Sequence, residues 1–180
     1  MQNTGSKKNL YTLSLVVRDR PGVLVRIALV FARRGYNIAS LTVSPGAEGG
    51  FSRMTITCSG DPETLEQIIK QLAKLIDVVY VTDHEGETPI EVEIALVKIR
   101  STLDNRTEIL QIAEHYKAKV VDYGAETLIL RAEGTSEKIE VFHALLKSYN
   151  VEELVRSGKI VMDRGPSQFA HLLRNRGKTR

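Results

Sequence analysis

The sequence predicts an α+β protein made of two ferredoxin-like βαββαβ domains in tandem, and three observations lead there. Alternating apolar runs and helical apolar stripes follow one another as strand, helix, strand, strand, helix, strand. The same order then repeats in the second half. Between the two cycles, Asp83-His84-Glu85-Gly86-Glu87-Thr88-Pro89 is polar, broken by Gly and closed by Pro, which marks a boundary. With 180 residues, 42% of them hydrophobic, the chain is long enough for two small cores. The expected division is 9–84 for the first domain, 90–165 for the second and 166–180 for a basic tail.

In the first cycle, Leu10 to Val17 alternates, with Tyr11, Leu13, Leu15 and Val17 on one face. Pro21 suits a first helical position, and Leu24, Ile27, Ala28 and Phe31 then recur at helical spacing up to a stop at Gly35. Asn37 to Val43 reads as a second strand and Phe51 to Cys58 as a third. They are joined across Ser44-Pro45-Gly46-Ala47-Glu48-Gly49-Gly50, which reads as a mobile hairpin loop. Asp61 is the expected N-cap of the next helix, with Pro62 first inside it and Leu65, Ile68, Ile69, Leu72 and Leu75 as its stripe. Val78 to Thr82 supplies the fourth strand.

The second cycle runs through a strand Val92 to Ile99, a helix with Ile109, Ile112 and Ala113, and strands Val120 to Tyr123 and Leu128 to Ala132. A helix with Ile139, Phe142 and Leu146 follows, and Leu154-Val155 and Ile160-Val161-Met162 close the cycle. Gly60, Glu63 and Leu72 correspond to Gly134, Glu137 and Leu146 at a constant offset of 74, a trace of repetition. Two such βαβ units form a four-stranded antiparallel sheet with both helices on one face. The other face, with Leu10, Thr12, Ser14 and Val16 along its first strand, is expected to be uncovered and to seek a partner.

Two corners of the first cycle carry chemistry. A strand ends in Asp19-Arg20-Pro21-Gly22-Val23-Leu24, and the helix that follows exits through Arg34-Gly35-Tyr36-Asn37-Ile38. Gly22 leaves the first backbone N–H groups of the helix open to an anion such as an α-carboxylate. Asp19 offers a carboxylate to an ammonium group, and Asn37 offers both a donor and an acceptor. Together these groups match the zwitterionic end of a free amino acid. The same residues are also ordinary turn and helix-stop chemistry, and spacing alone leaves both readings open. The second cycle has Asp104-Asn105-Arg106-Thr107 and Lys117-Ala118-Lys119 in these places, so a site is expected in the first half only.

Other functions find little support. Cys58 is the single cysteine, which excludes an internal disulfide or a cysteine-rich metal site, and it reads as a buried strand residue in a cytosolic protein. His84, His115, His143 and His171 fall in the boundary segment, on two different helices and in the tail, without metal-ligand spacing or a convergent catalytic group. The glycines at 46, 49 and 50 join two strands, whereas a phosphate cradle leads into a helix. Residues 166–180 hold four of the cations and no acid, leaving −1 for residues 1–165 against a total of +3, so the body is not a nucleic-acid surface. The third strand, with Phe51, Arg53, Thr55 and Thr57, lacks the aromatic ladder on which RNA bases stack. No apolar run approaches the length of a membrane span, and the N-terminal residues have no presequence pattern. In the tail, Phe169, Leu172 and Leu173 recur at helical spacing among basic residues, read as a solvated terminus ahead of a docking helix.

Over Asp19 to Leu24, Arg34 to Val43 and Ser52-Arg53-Met54-Thr55-Ile56, the chain resembles the small regulatory subunits of acetohydroxyacid synthase, also called acetolactate synthase. The resemblance extends over residues 9 to 165, through Leu65-Glu66-Gln67-Ile68, Glu93 to Ile99 and Arg156-Ser157-Gly158. It implies an N-terminal ACT domain that binds an amino acid across a homodimer, followed by a second ferredoxin-like domain. It also implies a chain that performs no chemistry itself, associates with a large catalytic subunit, raises its activity and confers feedback inhibition by valine. That partner would carry thiamine diphosphate, magnesium and FAD and open branched-chain amino acid synthesis in the cytoplasm. Carried over by residue, the effector site would comprise Asp19, Gly22, Val23 and Leu24 of one subunit with Asn37 and Ile38 of its neighbour. Asp19 departs from the family, many of whose members have Asn there. The alternative is a stand-alone ACT-type amino-acid sensor acting on another enzyme or on transcription.

Overall fold

The computed structural model describes residues 9–47, 49–84 and 88–166, so the tail with Phe169, His171, Leu172 and Leu173 lies outside the described residues. The chain divides into two compact units. One takes the described residues up to Ile90 together with those from Val161 onward, and the other is Glu91–Ile160.

The first unit is the βαββαβ arrangement read from the sequence: β1 (Asn9–Arg18), α1 (Val23–Arg33), β2 (Asn37–Pro45), β3 (Phe51–Gly60), α2 (Pro62–Ala73) and β4 (Val78–Asp83). Its strands lie in the order β2-β3-β1-β4, all neighbours antiparallel, so β2 and β4 are edges. Alternation along β1 sends Tyr11, Leu13, Leu15 and Val17 into one core with Val23, Ile27 and Phe31 of α1 and Leu65, Ile68 and Leu72 of α2. Both helices therefore cover the same sheet face. The stripe of α1 starts one residue earlier than the sequence suggests. With the helix beginning at Val23, the buried positions are 23, 27 and 31, and Leu24 is left 43% exposed. Asp61 caps α2 as expected, accepting the Thr64 N–H at 2.8 Å, with Pro62 first inside. Leu75 lies beyond that helix but still packs against the core.

The opposite face of this sheet is not uncovered as expected. Leu10 is 57% exposed, yet Ser14 is 3% and Val16 6% exposed, and their neighbours Thr55 and Thr57 on β3 are buried as well. His84 is part of the reason. Its ring nitrogen Nε2 lies 2.8 Å from the Ser14 hydroxyl, its Nδ1 stands 3.0 Å from Asp163 Oδ1, and its side chain is 4% exposed. Arg164 Nε donates to the Thr88 carbonyl at 3.0 Å, so the segment after residue 160 is fastened to the one after β4.

The second unit repeats the plan with β5 (Ile90–Arg100), α3 (Arg106–His115), β6 (Lys119–Tyr123), β7 (Thr127–Gly134), α4 (Ser136–Leu146) and β8 (Val151–Arg156); the short β9 (Ile160–Met162) pairs with β5. The strand order β6-β7-β5-β8 is the first unit's order over again. Positions 74 apart are equivalent in three dimensions: Gly60 and Gly134 end β3 and β7, and Leu72 and Leu146 are fully buried in α2 and α4. Thr135 caps α4 as Asp61 caps α2. Within this unit the Glu93 side chain is 4% exposed and grips Arg156, through Nε at 2.7 Å and Nη2 at 2.9 Å.

Candidate functional site

Arg20-Pro21-Gly22-Val23 forms a tight turn between β1 and α1. The Val23 N–H donates to the Arg20 carbonyl at 3.3 Å, and Gly22 has φ 82° and ψ −6°. These are the angles of a type II turn, whose third residue needs positive φ and whose second favours proline. Pro21 is therefore a turn residue and not the first helical one, because the left-handed Gly22 takes the N-cap place. Gly22 has no side chain to cap the helix, so the N–H groups of Leu24 and Val25 remain available at the positive end of the helix dipole.

Charged groups surround this turn. Arg26 Nη2 donates to Asp77 Oδ2 at 2.6 Å, with the arginine side chain 46% and the aspartate 8% exposed. A Cβ added to Gly22 would stand 3.3 Å from Arg26 Nη1. The Asp77 carbonyl also accepts the Arg18 N–H at 2.8 Å, which fixes the aspartate against the end of β1. Asp19 is exposed, and its N–H donates to the Gly50 carbonyl at 2.9 Å, so the Gly-rich hairpin is tied to this corner at its base. A cavity of about 420 Å³ opens beside Asp19, lined by Arg18, Asp19, Arg20, Gly49, Gly50, Phe51 and Val79.

The second corner is built by a Schellman motif at the end of α1. Gly35, at φ 69°, donates to the Ala32 carbonyl at 3.1 Å, and Tyr36 to the Phe31 carbonyl at 3.1 Å. Tyr36 then turns inward, 8% exposed, with its hydroxyl donating to the Asp61 carbonyl and its ring occupying the space that a Cβ on Gly60 would need. This leaves Asn37 exposed at the start of the edge strand β2, with Ile38 half-buried against the core.

Asp19, Gly22, Val23 and Leu24 thus gather at one corner and Asn37 and Ile38 at the other, but one chain does not bring the two groups together. The eleven residues of α1 separate them, about 16 Å of helix. The side chain of Val23 is in the core, so only its backbone faces the turn. Sequence reasoning missed Arg26 and Asp77. They lie 51 positions apart, and a single sequence has no signal that pairs them.

In the second unit the equivalent corner is filled from within. Arg106 donates to the Ser101 hydroxyl at 3.0 Å and to the carbonyls of Gly124 and Ala125 at 2.9 and 2.7 Å, with its guanidinium 4.7 Å from the Tyr123 ring centroid. The Arg106 donors at the head of α3 are thus directed to groups of its own unit. Among the described residues, no cluster of His, Cys, Asp or Glu is placed to hold a metal ion. Cys58 is fully buried, and burial pushes its thiol up to about 11, which favours the protonated form at neutral pH. Among the described residues no helix is long and apolar enough to cross a membrane.

Comparisons with known proteins agree over both units. Residues 13–80 match the model of the acetohydroxyacid synthase small subunit-like ACT domain, and residues 92–165 match that of the small subunit of acetolactate synthase. The acetolactate synthase small subunit of Mycolicibacterium smegmatis is 42% identical over 156 residues, covering 87% of this chain and 92% of that protein. That of Mycobacterium leprae is 40% identical over 156 residues, with coverages of 87% and 92%. The crystal structure of the small subunit from Thermotoga maritima superposes with a TM-score of 0.79 at 38% identity, covering 88% of this chain and 99% of that one.

Proposed function

The chain belongs to the family of acetolactate synthase small subunits, with an ACT domain as its first unit, and from this premise we propose that it binds and activates the catalytic subunit and confers feedback inhibition by valine. In this reading it contributes no catalytic group. Thiamine diphosphate, magnesium and FAD belong to its cytoplasmic partner, which joins pyruvate to a second 2-oxo acid at the entry to branched-chain amino acid synthesis.

The observation that carries the effector site is the separation of the two corners. A free amino acid is far shorter than α1, so Gly22 and Asn37 can serve one ligand only if they come from two copies of the chain. Two features support such a pairing. Strand β2 lies at the edge of its sheet, where a second strand could be added, and α1 exposes Leu24, Val25 and Leu29 at 43, 62 and 46%. A two-fold axis beside β2 would extend the sheet and set the head of α1 in one copy near Asn37 of the other. The effector carboxylate would then meet the N–H groups of Leu24 and Val25, its ammonium group Asp19 and Asn37, and its branched side chain Leu24 and Ile38. Coupling to the catalytic subunit requires that the two arrangements of the dimer differ in effector affinity, typically by about 1–3 kcal/mol.

Reconstitution with the catalytic subunit tests this. The chain is expected to raise acetolactate formation and make it valine-sensitive, and Gly22→Asp, which puts an anion where the effector carboxylate belongs, to keep the activation and lose the inhibition. Unchanged inhibition in Gly22→Asp would refute the site. A stand-alone sensor would neither co-purify with nor activate the thiamine-dependent enzyme.

A further inference from the structure

We infer that Arg26, held in place by Asp77, is a specificity residue of the effector site and reads the carboxylate of the bound amino acid, an inference that rests on the effector-site reading above. A guanidinium is planar and presents its donors in a fixed fork, so fastening one end aims the other. Asp77 fastens Nη2 at 2.6 Å through a carboxylate that is 8% exposed, and its backbone is held in turn by the Arg18 N–H on its carbonyl. The free end, Nη1, is then presented to the Gly22 turn, 3.3 Å from the point where any other residue would carry its Cβ. The absent Cβ leaves a gap bounded on one side by this cation and on another by the uncapped start of α1.

Both donors favour an anion, and both are held before a ligand arrives, which lowers the cost of ordering them. The pair also answers the charge question that Asp19 raises. A carboxylate so near the helix start favours the effector's ammonium group and opposes its carboxylate. Arg26 restores a positive site for the second group without cancelling the first. Asp77 serves as a positioning residue: its charge is spent on Nη2, leaving Nη1 for the ligand.

Calorimetry of the full chain with L-valine and with L-valinamide, which lacks the carboxylate charge, tests the inference. Wild type should prefer valine. In Arg26→Gln valine affinity should fall by roughly tenfold to a hundredfold, as for loss of one charge-assisted hydrogen bond, while valinamide changes little, so the preference collapses. Arg26→Lys, which keeps a charge for Asp77 without the fork, should lose affinity for valine selectively and carries the test if Arg26→Gln does not fold. Wild-type valine affinity in both variants, or equal loss of valine and valinamide, overturns the assignment of Arg26 alone. Absence of binding by the wild-type chain to valine, leucine and isoleucine overturns the effector site, and this inference with it.

Discussion

Single residues settle what each corner can do. Gly22 is required for its φ of 82°, and its missing Cβ also leaves the Arg26 guanidinium room beside the turn, 3.3 Å from where that Cβ would stand. Arg106 at the head of α3 does the reverse, spending its donors on carbonyls of its own unit and closing the corner. Glu93 shows the same economy in a structural role. The Arg156 fork holds its carboxyl below the usual glutamate range, aided by the Ser136 hydroxyl at 2.6 Å and opposed by burial. Arg156→Ala would leave that buried carboxylate without its ion-pair partner and should cost on the order of 2–4 kcal/mol in urea unfolding at pH 7. Because the folded-state value is depressed, the stabilisation is present above the ordinary glutamate range near pH 4.3 and lost as pH falls through the depressed value. Wild type should therefore lose more stability than Glu93→Gln between pH 7 and pH 3, and parallel losses would contradict the ion pair.

Elements were legible where one local signal sufficed and obscure where two segments had to meet. The alternation of Tyr11, Leu13, Leu15 and Val17 and the Asp61-Pro62 helix start each state their own structure, and both are found as read. Pro21 misleads because its fixed φ suits a turn as well as a first helical position; the left-handed Gly22 decides between them, and that angle is not visible in the letters. Ser14 was legible as an outward-facing residue but not as a buried one, since its partner His84 comes from 70 positions away. The exposed face of α1 gives the element-scale prediction. Leu29→Glu, at a residue 46% exposed and apart from the core, should leave the fold intact by circular dichroism yet convert the proposed dimer to monomers in sedimentation. Unchanged sedimentation would move the interface elsewhere.

At the scale of the whole chain, one plan is used twice and left open once. Both units share the strand order in which the third strand lies between the first and second, and residues 74 apart hold equivalent posts, so the tandem arrangement could be read from the sequence. The absence of the Pro-Gly start from the second cycle was also legible, though not the arginine that seals it. What no single chain can display is a site divided between two copies. In the proposed site the two halves, at Gly22 and Asn37, come from different copies, because α1 keeps those of one chain apart. Shared construction has a direct consequence. If Gly22→Asp spoils one half and Asn37→Ala the other, a mixed dimer pairs the two spoiled halves in one site and the two intact halves in the other. The measurement that tests this is valine calorimetry on each variant alone and on mixed dimers isolated through two different affinity tags. Neither variant alone should show saturable binding, and each mixed dimer should regain one site; mixed dimers as silent as their parents would rule out a site shared between two copies.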